Sequence, residues 1–204
     1  MELIWYGHAC FMLRSEDGSA VFDPYVPGYV QGLKLPPLTA DAVVCSHKHS
    51  DHYCPEAVML SGKPPRFKMQ QIYSFHDGCM GAKRGINLIT VVNAAGLSVA
   101  HCGDLGHTLN KETLNCLVKI DILMIPVGGI YTLDAKAAKA VCEQIKPTVI
   151  IPMHYRCGKV GIQNLAPVDD FLGLFDENSI TRLPSNTLTI EKPLKPSVTV
   201  FALQ

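Results

Sequence analysis

No charge of one sign prevails in this chain. Eighteen Lys and Arg balance eighteen Asp and Glu over 204 residues, so no global field draws in nucleic acid or an acidic membrane surface. No run approaches the roughly eighteen apolar residues of a membrane-spanning helix. Glu2 and His8 interrupt the N-terminal stretch where a secretion signal would be basic and then apolar. The eight cysteines include no Cys-x-x-Cys pair, which argues against a zinc ribbon or a thioredoxin-type site. Without a secretory context they are expected to be reduced, mostly buried thiols of a cytoplasmic protein. Repeats and low-complexity tracts are lacking as well, and the Pro/Gly-rich stretch 26–37 is expected to be a surface loop. What the chain does have is 48% hydrophobic residues, enough at this length for a core, so residues 1–204 are expected to form a single domain.

The first half is patterned for strands: 3–6, 9–14 and 20–22 as a meander turning at Asp17-Gly18, a nearly all-apolar 41–46 expected to be covered on both faces, then 70–75, 86–92 and 97–100. Pro55-Glu56 is expected to open a helix running to Ser61. The second half alternates, with helices at 111–118, 134–145 and 168–175, strands at 121–126 and 148–152, and two strands in the tail. Ala137, Val141 and Ile145 mark an apolar helical stripe. Strands first and strand–helix alternation afterwards predict an α/β protein with two sheets sandwiched between helices.

The segment His47-Lys48-His49-Ser50-Asp51-His52 follows the apolar run at 41–46. In extended backbone, residues two apart point to the same side, so His47 and His49 converge. The turn into the next element lets Asp51 and His52 face a second point nearby. Three imidazoles and a carboxylate suit Zn²⁺, with iron or manganese as competitors. His76, Asp104 and His154 each follow a predicted strand, at the edge where loops leave a sheet and ligand sites gather.

In this order, Gly7-His8-Ala9-Cys10-Phe11, Phe22-Asp23-Pro24, the 47–52 motif, Gly103-Asp104, Pro126-Val127-Gly128-Gly129 and Ile151-Pro152-Met153-His154-Tyr155 resemble the metallo-β-lactamase superfamily. Within it they resemble the branch of small metal-dependent hydrolases similar to ascorbate-6-phosphate lactonase. The resemblance spans about residues 3–156. It implies a four-layer αββα sandwich with a dinuclear site at one edge. His47, His49 and His76 would hold one cation; Asp51, His52 and His154 would hold the other; Asp104 would bridge them. Asp23 would orient ligands from behind. His101 is a rival to His76 as third histidine, or else a supporting residue, and His107 is a weaker rival.

Two dications set against Asp51, Asp104 and a hydroxide leave about one net positive charge, which favours an anionic group or a developing oxyanion. Coordination lowers the pKa of water to about 7. The expected activity is therefore that of a metal-dependent hydrolase, with zinc foremost and Mn²⁺ or Fe²⁺ as alternatives. Its hydroxide would cleave a small ester, lactone or phosphoester, and Asp51 would orient that nucleophile or move its proton. On the substrate side stand His8, Tyr131 and Tyr155, followed by Lys83, Arg84 and Gly128-Gly129. The expected partner is a small, anionic molecule, with no nucleic acid and no membrane; a homo-oligomer is left open. The alternative is an iron-dependent redox or sulfur-handling protein on the same fold, kept open by Cys102 and Cys157.

Overall fold

A computed structural model describes residues 1–203. Strands β1 (Glu2–Trp5), β2 (Phe11–Ser15) and β3 (Gly18–Phe22) form the expected antiparallel meander. Its turn is Glu16-Asp17 rather than Asp17-Gly18, because Gly18 already pairs with Ser15 and holds a φ of +123° that only glycine adopts readily. After β4 (Leu38–Ala40), β5 (Ala42–Val44) adds to β3 in parallel. It is three residues long and partly exposed, because it closes the edge of its sheet instead of running through the middle. The helix expected from Pro55 is a single 3₁₀ turn, Pro55–Ala57, that lacks a side-chain cap. The chain passes at once into β6 (Val58–Leu60), whose backbone pairs with β4.

Next come β7 (Lys68–Phe75), β8 (Ile86–Ala94) and β9 (Leu97–His101), paired antiparallel. Then follow α1 (Lys111–Cys116), β10 (Ile122–Pro126), α2 (Ala135–Ile145), β11 (Val149–Met153) and α3 (Asp169–Leu172). The tail holds three strands instead of two: β12 (Ile180–Arg182), β13 (Thr187–Thr189) and β14 (Ser197–Val200). Helix α2 begins at Asp134, whose carboxylate accepts the Ala137 N–H at 2.8 Å and satisfies a donor that the helix leaves free. Its buried stripe is Ala138, Val141 and Cys142; Ala137 and Ile145 are only partly covered.

The strands form two main sheets, ordered β13-β1-β2-β3-β5 and β12-β14-β11-β10-β9-β8-β7, with β4 and β6 as a separate ribbon. Alternation divides the first sheet. Leu3, Phe11, Leu13, Ala20 and Phe22 join the main core with Ile89, Val91 and Val99 of the second sheet, whereas Ile4, Met12 and Val21 pack outward with Tyr25, Val30, Leu38 and Val58. The architecture is thus the expected mixed α/β sandwich of two sheets. One outer layer, however, is the 25–35 loop with the β4–β6 ribbon rather than helix. Strands β10 and β11 are flanked by parallel neighbours and are almost wholly buried, as two-sided burial of a parallel sheet requires.

Candidate metal centre

Six strand ends supply the site. His8 follows β1, Asp23 follows β3, the 47–52 motif follows β5, His76 follows β7, Asp104 follows β9 and His154 follows β11. Asp104 stands at the centre. Its Oδ2 is 3.0 Å from His76 Nε2, 3.3 Å from His154 Nε2 and 3.8 Å from His47 Nε2, and its Oδ1 is 3.1 Å from His52 Nε2. Asp51 Oδ2 lies 3.6 Å from His52 Nε2. The His49 ring is 4.6 Å from that of His47 and 5.0 Å from that of His76. Three overlapping groups bring donor atoms within 4.8 Å of one another: His47, His49 and His76; His47, His52 and Asp104; and His8, Asp51, His52 and His154.

A layer of side chains behind this cluster fixes what each donor presents. Asp23 Oδ2 accepts from His52 Nδ1 at 2.7 Å and from the Ser46 hydroxyl at 2.6 Å, and its Oδ1 accepts the Ser46 N–H at 2.7 Å. With Nδ1 engaged, His52 turns Nε2 toward Asp104, the arrangement that second-layer carboxylates impose on ligating histidines. His76 Nδ1 donates to the Tyr131 carbonyl at 3.0 Å. Asn87 is fully buried: its amide donates to Ser74 Oγ and the Cys102 carbonyl, and its Oδ1 accepts the Asp104 N–H, each at 2.8 Å.

His8, Asp23 and His154 hold φ of +53°, +45° and +54°. Such left-handed backbone in non-glycine residues costs roughly 1–3 kcal/mol each and gathers at functional sites. Close approach is built in as well: a Cβ on Gly128 would strike the His154 carbonyl, and one on Gly103 would strike Asn87 and Ser46.

Burial pushes the His8 imidazole down to about 4 and the His47 imidazole down to about 3, so both offer lone pairs at neutral pH. For His52 burial also opposes the charged form, but the Asp104 and Asp23 carboxylates outweigh it and hold the ring well above its ordinary value. Burial opposes ionisation of Asp104, and His154 and His52 overcome it, keeping the carboxyl well below the usual range. Six buried atoms here make no well-formed hydrogen bond, even where Asp104 lies 3.1 Å from His52 Nε2 and 3.3 Å from His154 Nε2: His8 Nδ1, His47 Nε2, His52 Nε2, Asp104 Oδ1 and both ring nitrogens of His154. An unmet buried polar group costs about 1–3 kcal/mol, so such a concentration calls for a ligand. Donors on a tetrahedral ion with bonds of 2.0–2.1 Å stand about 3.3 Å apart, and the separations around Asp104 bracket that value. The cluster fits a divalent cation, and its His/Asp chemistry suits zinc, manganese or iron.

A cavity of about 780 Å³ opens over the cluster, with His49, Asp51, His76, Asp104 and His154 along its floor. Tyr29, Lys48, Arg84 and Tyr131 contribute to its walls. Arg84 stacks its guanidinium 5.1 Å from the Tyr131 ring centre. Tyr131 is thus where a substrate-side residue is expected, but two of the expected companions are not. Tyr155 is buried against Trp5, with ring centres 5.6 Å apart, because the chain leaves β11 with that side chain turned into the core. His8 is 2% exposed and lies beneath the donors instead of lining the cavity. His101 donates from Nε2 to the Ala9 carbonyl at 2.8 Å, accepts the Gly103 N–H at Nδ1 and stacks on Phe22, so both its nitrogens are engaged away from the cluster. His107 is likewise occupied, by the Phe75 N–H and the Thr108 carbonyl.

Sequence reasoning assigns no role in the site to Ser46, Asn87 or Asp77. Asp77 accepts the N–H groups of Cys79, Gly81, Lys83 and Arg84 and so shapes the loop that carries Arg84. The available signals were polar residues bordering apolar strands.

Comparison with known proteins gives a consistent family assignment. The model of the beta-lactamase superfamily domain matches residues 2–154. A UPF0173 metal-dependent hydrolase of Thermoplasma acidophilum is 27% identical over 188 residues, covering 76% of this chain and 83% of the relative. A Thermotoga maritima crystal structure, described as a candidate Zn-dependent hydrolase of the metallo-beta-lactamase superfamily, superposes with a TM-score of 0.78 at 36% identity. That match covers 100% of this chain and 99% of the other. A candidate metal-dependent hydrolase of Parabacteroides distasonis shares the fold, with a TM-score of 0.68 at 18% identity over 99% of this chain and 93% of the other.

Proposed function

Because the chain belongs to the metallo-β-lactamase superfamily, we propose that it is a metal-dependent hydrolase whose dinuclear centre cleaves a small ester, lactone or phosphoester. One observation carries this reading: buried, unpartnered histidine and aspartate atoms gathered at ion-donor spacing beneath an open cavity. His47, His49 and His76 would hold one cation, Asp51, His52 and His154 the other, and Asp104 would serve both. Zinc is the first candidate, with Mn²⁺ or Fe²⁺ as alternatives. Bound there, a divalent cation lowers the pKa of a coordinated water toward 7 and polarises a carbonyl or phosphoryl oxygen.

The protein's own groups do the rest. Asp51 reaches the cavity floor and is kept ionised by the His8 hydrogen bond and His52 against the opposing effect of burial, so it is placed to orient water or to move its proton. Asp23 and Asn87 hold His52 and Asp104 still. Arg84 and Lys48 on the walls favour an anionic substrate. Cys102 and Cys157, on which a sulfur-handling reading would lean, belong to none of the donor groups. No helix among the described residues is long and apolar enough to cross a membrane, and eight free cysteines fit the reducing cytoplasm.

The test is removal of metal with a chelator, then assay of neutral esters, lactones and phosphodiesters before and after return of Zn²⁺ or Mn²⁺. Hydrolysis should vanish and return with the ion; full hydrolysis by the metal-free chain contradicts the reading.

A further inference from the structure

We propose that His8 is an additional metal donor, joining Asp51, His52 and His154 around one cation; the inference rests on the metal-centre reading above. His8 cannot serve substrate or solvent, since its side chain is 0% exposed. Its ring centre lies 4.0 Å from that of His154 and 5.2 Å from that of His52, and its Nε2 lies 3.2 Å from Asp51 Oδ2. All four residues are buried, with donor atoms within 4.8 Å of one another.

A hydrogen bond from His8 to Asp51 does not account for this arrangement by itself. A neutral imidazole has one N–H and one lone pair, and His8 Nδ1 has no partner. One nitrogen is therefore unmet in either tautomer. His52 Nε2 and both nitrogens of His154 are unmet beside it. The backbone is also arranged for this presentation. Gly7 and His8 hold φ of +92° and +53°, and the His8 carbonyl accepts from Trp5 Nε1 at 3.1 Å and from the His154 N–H at 3.2 Å. A histidine is a strained choice at such a φ, so its imidazole has a use that glycine would not provide.

The two cations then differ. With Asp104 shared, five side chains would surround the one beside His8, more than the four that close a tetrahedral ion. The other would have His47, His49 and His76 beside the shared Asp104, one donor fewer, and its His49 is exposed to the cavity, so water has the easier approach there.

The experiment is a cobalt(II) titration of the full metal-stripped chain, read by visible and near-ultraviolet absorption. Cobalt is the probe because a thiolate bound to it announces itself by a charge-transfer band. Wild type should take up two equivalents and show no such band. His8→Ala should bind one of the two at least tenfold more weakly, the minimum seen even for loss of an outer-layer partner. His8→Cys supplies a thiolate donor at the same point, and on cobalt binding it should gain the charge-transfer band. This variant also covers the case in which His8→Ala does not fold. A folded His8→Cys chain that binds two equivalents with the wild-type spectrum overturns the proposal. Turnover plays no part in the readout: a chain that shows the band but hydrolyses nothing loses the hydrolase reading alone, and a wild type that takes up no cobalt loses both.

Discussion

Asp23 shows how one residue can govern a site it does not enter. Its two oxygens take three donors, two from Ser46 and one from His52, and without them His52 is free to turn its other nitrogen forward. Asp23→Ala leaves every proposed metal donor in place, yet should weaken metal binding about 10–100-fold, as competition with a chromogenic chelator would measure; wild-type affinity contradicts the role. The residue scale is also where the sequence was most and least informative. The 47–52 motif was legible because its donors are close neighbours in the chain, although the backbone there is bent and turning rather than extended as expected. Asn87 was not: its meaning lies in Ser74, Cys102 and Asp104, which only the pairing of β7, β8 and β9 brings to it. The burial of His8 was hidden for the same reason, since the end of β1 meets the end of β11 only in the folded chain.

Among the elements, α2 shows what local sequence specifies well. A capping carboxylate at Asp134, a run of good helix formers and an apolar stripe set its start and its buried face, with the stripe one position from the expected phase. Asp134→Ala should cost about 1 kcal/mol, the usual loss for an N-cap, seen as a lower urea midpoint with unchanged metal binding; an unchanged midpoint would mean the cap contributes nothing. The segment after Pro55 shows the opposite. Its residues permit a helix, but Val58–Leu60 finds backbone partners in Leu38–Ala40, and a long-range pairing of this kind overrides local preference. β5 was overestimated because a short apolar run does not reveal whether its strand lies inside a sheet or at its edge.

The whole molecule is a device for bringing strand ends together. In the two sheets β1, β3 and β5, and β7, β9 and β11, release their chains at one edge, so a rigid core holds loops that would otherwise wander. The alternation of elements made the sandwich legible, while the loop-and-ribbon layer over the first sheet was hidden in a Pro/Gly-rich stretch with no period. The cysteines report on the same packing. Four are buried, two are partly covered, and Cys79 and Cys116 are exposed. Burial pushes Cys45 and Cys142 up to about 12, leaving almost no thiolate at pH 8. A thiol reagent at that pH should therefore modify Cys79 and Cys116 rapidly, and Cys10, Cys102 and Cys142 only after unfolding, as peptide mass mapping would show; rapid labelling of Cys102 or Cys142 in the native chain contradicts the packing.

The central claim is that these strand ends grip two cations. Diffraction from crystals of the zinc-loaded protein, recorded on both sides of the zinc absorption edge, tests it most directly. The account predicts two anomalous peaks, one among His47, His49 and His76 and one among Asp51, His52 and His154, with Asp104 between them. Zinc peaks only at other places on the molecule, with His154 and Asp104 touching none, would contradict it.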